Sequence, residues 1–455
     1  MQASPRGNPP LLAGILIGVL LAYAVVVTVL LVTRDSPAVH TTTVLISTVA
    51  PSEETSSTAE EPSPPASRAA RHPALAGLEC PVQEDEQERH EEAEDEEGLP
   101  VSEEEEPFDL GEEVTLESEW LNALCVFEAE VADNANGPVD IGGGQIASLL
   151  IKSEALHHLP GLVDSNSPTF WAGGTLLSFN SRQWPSIATG AAIDNLSEPA
   201  YVDVFGNEGD GGIWMESVWR DPETGFLYGW YHREPEDVLC FTAPVIGAAI
   251  SYDQGATWLD QGTVLEDPYE VDCEYENGYF SGGNGDFAVI LDVEQQYFYV
   301  LYSNYGGPIQ EQGIGIARSS FVDGGQPDTV YRWDGLAWDQ PGIGGYTFPI
   351  VPADTSWAGS EVDAFWGPSV HWNTYLNRYV MLVNRSGGLE WAQEGVYLSF
   401  STDLMTWTIP HKLFNTNAWY PQIIGPQPGE SDTRAGQYAR LYLSGISVYG
   451  LEFKK

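Results

Sequence analysis

Two acids placed in strands that are otherwise apolar and aromatic are the first residues with chemistry to offer. Glu216 stands in Ile213-Trp-Met-Glu-Ser-Val-Trp219, and Asp286 opens Asp286-Phe-Ala-Val-Ile-Leu291. A carboxylate in such a strand costs desolvation energy unless it is paired or hydrogen-bonded. Two acids facing one cavity can divide the labour of cleaving a glycosidic bond. One stays protonated to assist the leaving group, and the other, ionised, activates water or attacks the sugar. Asp164, just ahead of a third strand of this kind, could supply a further carboxylate. Glu216 and Asp286 are expected to be essential to such a reaction. The plainer reading of each acid is a solvated or capping residue.

Aromatic side chains accompany these acids. Trp214, Trp366 and Tyr420 lie on or at the mouths of similar strands, where an aromatic face could stack on the C–H surface of a carbohydrate. Packing between sheets must claim most such rings. Trp366 and Tyr420 are the better candidates for ligand contact. His371, deep in another such strand, could hold a metal or a water; a hydrogen-bonded core histidine is the plainer alternative. Tyr201-Val-Asp203-Val-Phe-Gly-Asn207-Glu208-Gly-Asp210 carries oxygen ligands that could take calcium, in no recognised register. No other metal or cofactor is expected, because Cys80, Cys125, Cys240 and Cys273 show no C-x-x-C spacing.

The strands that position these residues recur. Five segments each open with a short apolar strand, turn at Asn, Asp or Gly, and continue into aromatic strands. They begin near Ser167, Ile213, Asp286, Gly367 and Tyr420. A unit of roughly 50–70 residues fits a four-stranded blade with its loops. The expected fold is therefore all-β, a five-bladed β-propeller. Aligning the units puts Pro168, Glu216, Asp286, Pro368 and Pro421 at equivalent positions, converging on one funnel. The stretch 113–163 does not repeat; it is read as a lead-in strand closing the ring or a segment packed beneath it. Among the cysteines, Cys240–Cys273 within one blade is the expected disulfide.

Ser251-Tyr-Asp-Gln-Gly-Ala-Thr-Trp258 fills the pattern S-x-D-x-G-x-T-W, and Ser401-Thr-Asp403-Leu-Met-Thr406-Trp407 is a weaker copy. This resembles the Asp-box turn of sialidases and other propellers. Arginine is scarce and no Phe-Arg-Ile-Pro opening is present, so the wider resemblance is not to sialidases. Residues 160–455 resemble the five-bladed propeller glycoside hydrolases of families 43 and 32. That resemblance implies a base or nucleophile from the first blade, an orienting acid from the second and a general acid from the third. By position these are Asp164, Glu216 and Asp286. The chain departs from the family pattern in two places: Ser165-Asn166-Ser167 separates the first acid from Pro168, and the third acid is Asp rather than Glu. Arg220-Asp221-Pro222 matches a family motif in letters but leads into a Pro-Glu-Thr-Gly turn, and is read as turn chemistry.

The chain of 455 residues divides sharply. Residues 1–10 are a short tail. Residues 11–33 are apolar and uncharged for long enough to span a bilayer, and are expected to form an uncleaved transmembrane helix; a cleaved signal peptide is the alternative. Residues 34–112, rich in Thr, Ser and Pro and then in acids such as Glu103 to Glu106, are expected to be a disordered acidic linker. Residues 113–455 form the expected propeller domain, placed outside the cytoplasm at the cell surface or in the periplasm. Asn195-Leu-Ser197 and Asn384-Arg-Ser386 fit a glycosylation sequon. A formal net charge of −49 with 18 Lys and Arg excludes a phosphate-neutralising surface, so nucleic acid is not an expected partner. Carbohydrate and membrane are. The expectation is a membrane-anchored glycosidase; a non-catalytic carbohydrate-binding or adhesive propeller is the alternative.

Overall fold

The computed structural model describes residues 139–140, 146–151, 157–161, 163–206, 212–235, 240–389 and 392–455. The tail, apolar segment and acidic linker lie outside the described residues, as do Cys80, Cys125 and part of the oxygen-rich stretch 201–210. Among the described residues, no helix is long and apolar enough to cross a membrane.

Alternating strands and tight turns assemble into five antiparallel-based sheets. The innermost strands, in blade order, are Thr169–Ala172, Ile213–Arg220, Asn284–Leu291, Glu361–Asn373 and Gln422–Ile424. Each neighbouring pair of blades encloses its own apolar cluster. Phe179, Met215 and Trp258 pack between blades one and two; Trp230, Phe287 and Phe298 between two and three. Leu301, Met381 and Tyr397 fill the next space, then Leu398, Phe414 and Leu451, and finally Leu176, Ile424 and Tyr442. Residues of inner and outer strands alternate between these clusters, as a period of two requires when both faces of a sheet are covered.

The ring closes by pairing sequence-distant ends. Ile146–Ile151 adds as a strand to Ile446–Lys454, with Ile146 opposite Lys454 and Ile151 opposite Tyr449. The non-repeating lead-in thus supplies the outer part of the last blade. The sequons fall on strands, at the start of Asn195–Leu196 and within Arg378–Leu389.

The two Ser-x-Asp segments each turn the chain between the third and fourth strands of their blades. In the first, Asp253 Oδ1 accepts the Thr257 N–H at 2.9 Å and the Ser251 hydroxyl at 2.9 Å. The Trp258 indole donates to the Gly255 carbonyl at 3.1 Å, and its ring is fully buried. Asp403 accepts from Thr406 N at 2.7 Å, and Trp407 donates to Leu404 O at 2.7 Å, with Leu404 at positive φ as Gln254 and Gly255 both are in the first turn. Asp221 likewise caps its own turn, accepting from Glu223 N at 2.8 Å.

Cys240 and Cys273 are joined. The bond does not lie within one blade's strands. It ties the connection between the second and third strands of blade two to the crossover into blade three.

Candidate active site

The two acids reach one place because the backbone is interrupted at the same level in successive blades. In blade two, Met215 pairs with Tyr231 and Ser217 with Trp230, leaving Glu216 as the extra residue of a bulge. In blade three, Gly285 pairs with Ser303 and Phe287 with Tyr302, leaving Asp286. In blade four the shift falls between Trp366 and Ser369, at Gly367-Pro368. A bulge re-aims the side chain of its unpaired residue. Asp286 adopts a φ of 38°, a region where Asp is tolerated better than most non-glycine residues.

Each bulge also frees backbone polar groups, and neighbouring blades satisfy them. The Phe287 N–H donates to Glu216 Oε2 at 2.7 Å. Gly367 N donates to Ser303 Oγ at 2.9 Å, and that hydroxyl donates to the Asp286 carbonyl at 3.2 Å. Asn166 spans the axis, its amide donating to Phe287 O at 2.8 Å and Pro368 O at 3.0 Å. The residue that displaces the expected Asp-Pro step therefore links blade one to blades three and four.

A histidine completes the cluster. His232, on the second strand of blade two, lies with Nδ1 3.8 Å from Glu216 Oε1 and 3.2 Å from the Asp286 N–H. Its Nε2 meets Glu234 Oε1 at 3.2 Å, which fixes the ring. Tyr305 donates its hydroxyl to Asp286 Oδ2. Trp214 stands edge-on to the imidazole with ring centroids 5.4 Å apart.

Burial drives the electrostatics. Desolvation pushes the Glu216 carboxyl well above the usual range, and the Asp286 charge adds to this; His232 and the Phe287 N–H oppose it. Asp286 is raised by burial too, against the pull of His232 and the Tyr305 hydroxyl. For His232 burial acts downward, but the bond and charge of Glu234, with Asp286 and Glu216, outweigh it and hold the imidazole up at about 9. Burial thus raises both carboxyls, while the acids around the imidazole raise it.

The members differ in reach. Glu216 is 2% exposed, Asp286 6%, and Asp164 is half-buried. The charge of Asp164 raises the acids' neighbour Tyr420 as well as Glu216, so it faces the same cluster. Glu216, Asp286 and His232 each offer one ligand atom, all within 4.8 Å of one another, and could hold a cation. A mixed nitrogen and oxygen donor set suits a transition metal better than calcium.

Of the aromatic candidates, Tyr420 remains beside the acids, half-buried with a φ of 53°. Trp366 does not present a face at a strand mouth. It is fully buried, its indole donates to Ser386 Oγ at 2.9 Å, and it supports Tyr420 edge-on. Trp214 is 8% exposed and acts on His232 rather than at a surface. His371 lies apart from the cluster. Burial alone lowers it to about 3, with no influence from either acid, and its Nε2 finds no hydrogen-bond partner among the described residues.

His232, Glu234 and Tyr305 were not indicated by the strand pattern. The signal available was Tyr-His-Arg-Glu at 231–234, charged and titratable residues ending a strand that begins Leu-Tyr-Gly-Trp.

No protein-family model matches the chain, and no curated protein matches it. Solved structures similar to it include an exo-β-1,3-galactanase from Phanerochaete chrysosporium with galactose, at 11% identity and a TM-score of 0.39. That match covers 67% of this chain and 64% of the galactanase, so the chain spans less than two thirds of that protein. An endo-arabinase from Bacteroides thetaiotaomicron is similar at 9% identity and a TM-score of 0.41, over 66% of this chain and 98% of its own. A family 43 glycoside hydrolase from Bacillus licheniformis is similar at 13% identity and a TM-score of 0.40, over 65% and 72%.

Proposed function

We propose that the funnel cleaves a glycosidic bond in an oligo- or polysaccharide. The observation that carries this reading is the pair of register-matched bulges that aim Glu216 and Asp286 into one cluster with His232. In this reading Asp286, raised by burial, is the general acid. Asp164, the most open of the three carboxyls, is the base or nucleophile. Glu216 is a positioning residue: its carboxylate is committed to the Phe287 N–H beside Asp286, and the Asp286 charge raises it in turn. Tyr420 would border the substrate. Residues 11–33 would anchor the chain in a membrane and 34–112 would carry the propeller away from it on the outer side.

A second reading has its own support. Glu216 and Asp286 are almost wholly enclosed and engaged by Phe287 N and Tyr305. Such a cluster could serve as an internal polar link in a propeller that binds carbohydrate or protein without cleaving it.

The test is a screen of wild type, Asp286→Asn and Glu216→Gln against chromogenic and natural glycans. Asn tolerates the positive φ at 286, so that variant should fold. The hydrolase reading expects turnover reduced about 10²–10⁴-fold in Asp286→Asn. Undiminished turnover in both variants on a substrate the wild type cleaves would overturn it. Glycan binding without product would favour the second reading.

A further inference from the structure

A cavity of about 620 Å³ lies at the opposite end of the inner strands from the bulges. It is lined where blades two, three and four run into their first turns, by Trp219, Asp292 and Trp372 among others. Its size falls in the range of small-molecule sites. Two features set it apart from the acidic surface around it.

The first is its charge. Arg378 and Arg434 both line this cavity, in a chain with 18 Lys and Arg against 67 Asp and Glu. Among the described residues neither guanidinium is in a salt bridge, whereas Arg385 is held by Asp354, Asp363 and Glu394. The one side-chain bond of Arg378 goes to the neighbouring Asn377 carbonyl at 3.1 Å. Arg434 belongs to the short strand Arg434–Ala435, which pairs in parallel with the end of the blade-four inner strand and so brings the guanidinium to the axis. Two uncommitted guanidinium forks at one concavity suit an oxyanion. Asp292 and Glu294 share the lining, so the cavity is balanced in charge where the surrounding surface is acidic; charges beyond about 8 Å are largely screened at physiological ionic strength.

The second is the rest of the lining. Trp219 and Trp372 are half-buried; Trp219 is held among Tyr228, Phe298 and Phe321, and Trp372 packs against Tyr379 with centroids 4.8 Å apart. An indole fixed in this way, Trp372 above all, can take the C–H face of a sugar ring. Asp292 already accepts the Gln296 N–H at 2.6 Å, leaving Glu294 at the rim to accept ligand hydroxyls.

We infer that this cavity binds an acidic sugar, its carboxylate on Arg378 and Arg434 and its ring against the indoles. The inference stands apart from the hydrolase reading, which concerns the other mouth of the propeller.

Calorimetric titration of the full chain with D-glucuronate, D-glucose and inorganic sulfate tests it. Glucuronate should bind at least tenfold more tightly than either comparison ligand. Arg378→Gln and Arg434→Gln should each weaken it about tenfold, with unchanged thermal midpoints, and added salt should weaken it further. Asp286→Asn should bind glucuronate as the wild type does. Absence of glucuronate binding, equal binding of glucose or sulfate, or full binding by the double arginine variant would each overturn the proposal. Loss of binding in Asp286→Asn would do so as well, by moving the site to the other mouth.

Discussion

At the scale of single residues, neighbouring acids share a cause and differ in use. Burial raises both Glu216 and Asp286, yet Glu216 is spent on a backbone N–H of the next blade while Asp286 accepts the Tyr305 hydroxyl. Both were legible in the sequence, because a carboxylate stands out in a strand of alternating apolar residues. Their histidine was not, since His232 meets them only through the pairing of the first two strands of its blade. His371 was legible as a buried residue but its isolation was not. Its folded pKa, lowered to about 3 from 6.5, carries a linkage consequence. Above pH 6.5 both folded and unfolded chains hold it neutral. As pH falls from there towards 3, the unfolded chain takes up a proton that the folded chain refuses, so stability is lost. In urea unfolding across that window, His371→Phe should lose less stability on acidification than the wild type. An unchanged pH slope would show that this histidine does not set acid lability.

At the scale of elements, the turns were the most readable parts and the bulges the least. Ser251 to Trp258 dictates its own geometry: an Asp that accepts local N–H groups, a Gly with a φ of 91°, and a Trp driven inward. Asp253→Ala should cost about 1–2 kcal/mol, seen as a lower denaturant midpoint, with any turnover at the distant funnel intact. Gly255→Ala should cost more, because a Cβ there would sit 2.5 Å from Phe179 Cζ as well as straining the backbone. A loss of turnover at full occupancy of the folded state would mean these turns communicate with the site. The bulges were legible only as an alignment of Pro with acid across units. The single extra residue that aims each side chain is a property of pairing register, which one strand's sequence does not carry. The parallel additions Asp203–Phe205 and Arg434–Ala435 escaped for the same reason.

At the scale of the whole molecule, five repeats announced five blades, while closure depended on a segment with no repeat signature. A chain beginning at residue 152 lacks the outer strand that flanks Ile446–Lys454, and should unfold at a lower temperature and less cooperatively than one that retains it. The Cys240–Cys273 bond closes a sequence separation of 33 residues between blades two and three. Replacing both cysteines by serine should cost about 2–4 kcal/mol by equilibrium unfolding, and an unchanged midpoint would mean the crossover is held without it. The central claim, that Asp286 gives a proton to a leaving sugar, has a more direct test. The measurement is kcat/KM of wild type and Asp286→Asn on two glycosides of one sugar, one with an alkyl leaving group and one with a dinitrophenyl group that needs no protonation. The account predicts a loss of about 10²-fold or more on the first and less than about tenfold on the second. Equal losses on both substrates, or none on either, would contradict it.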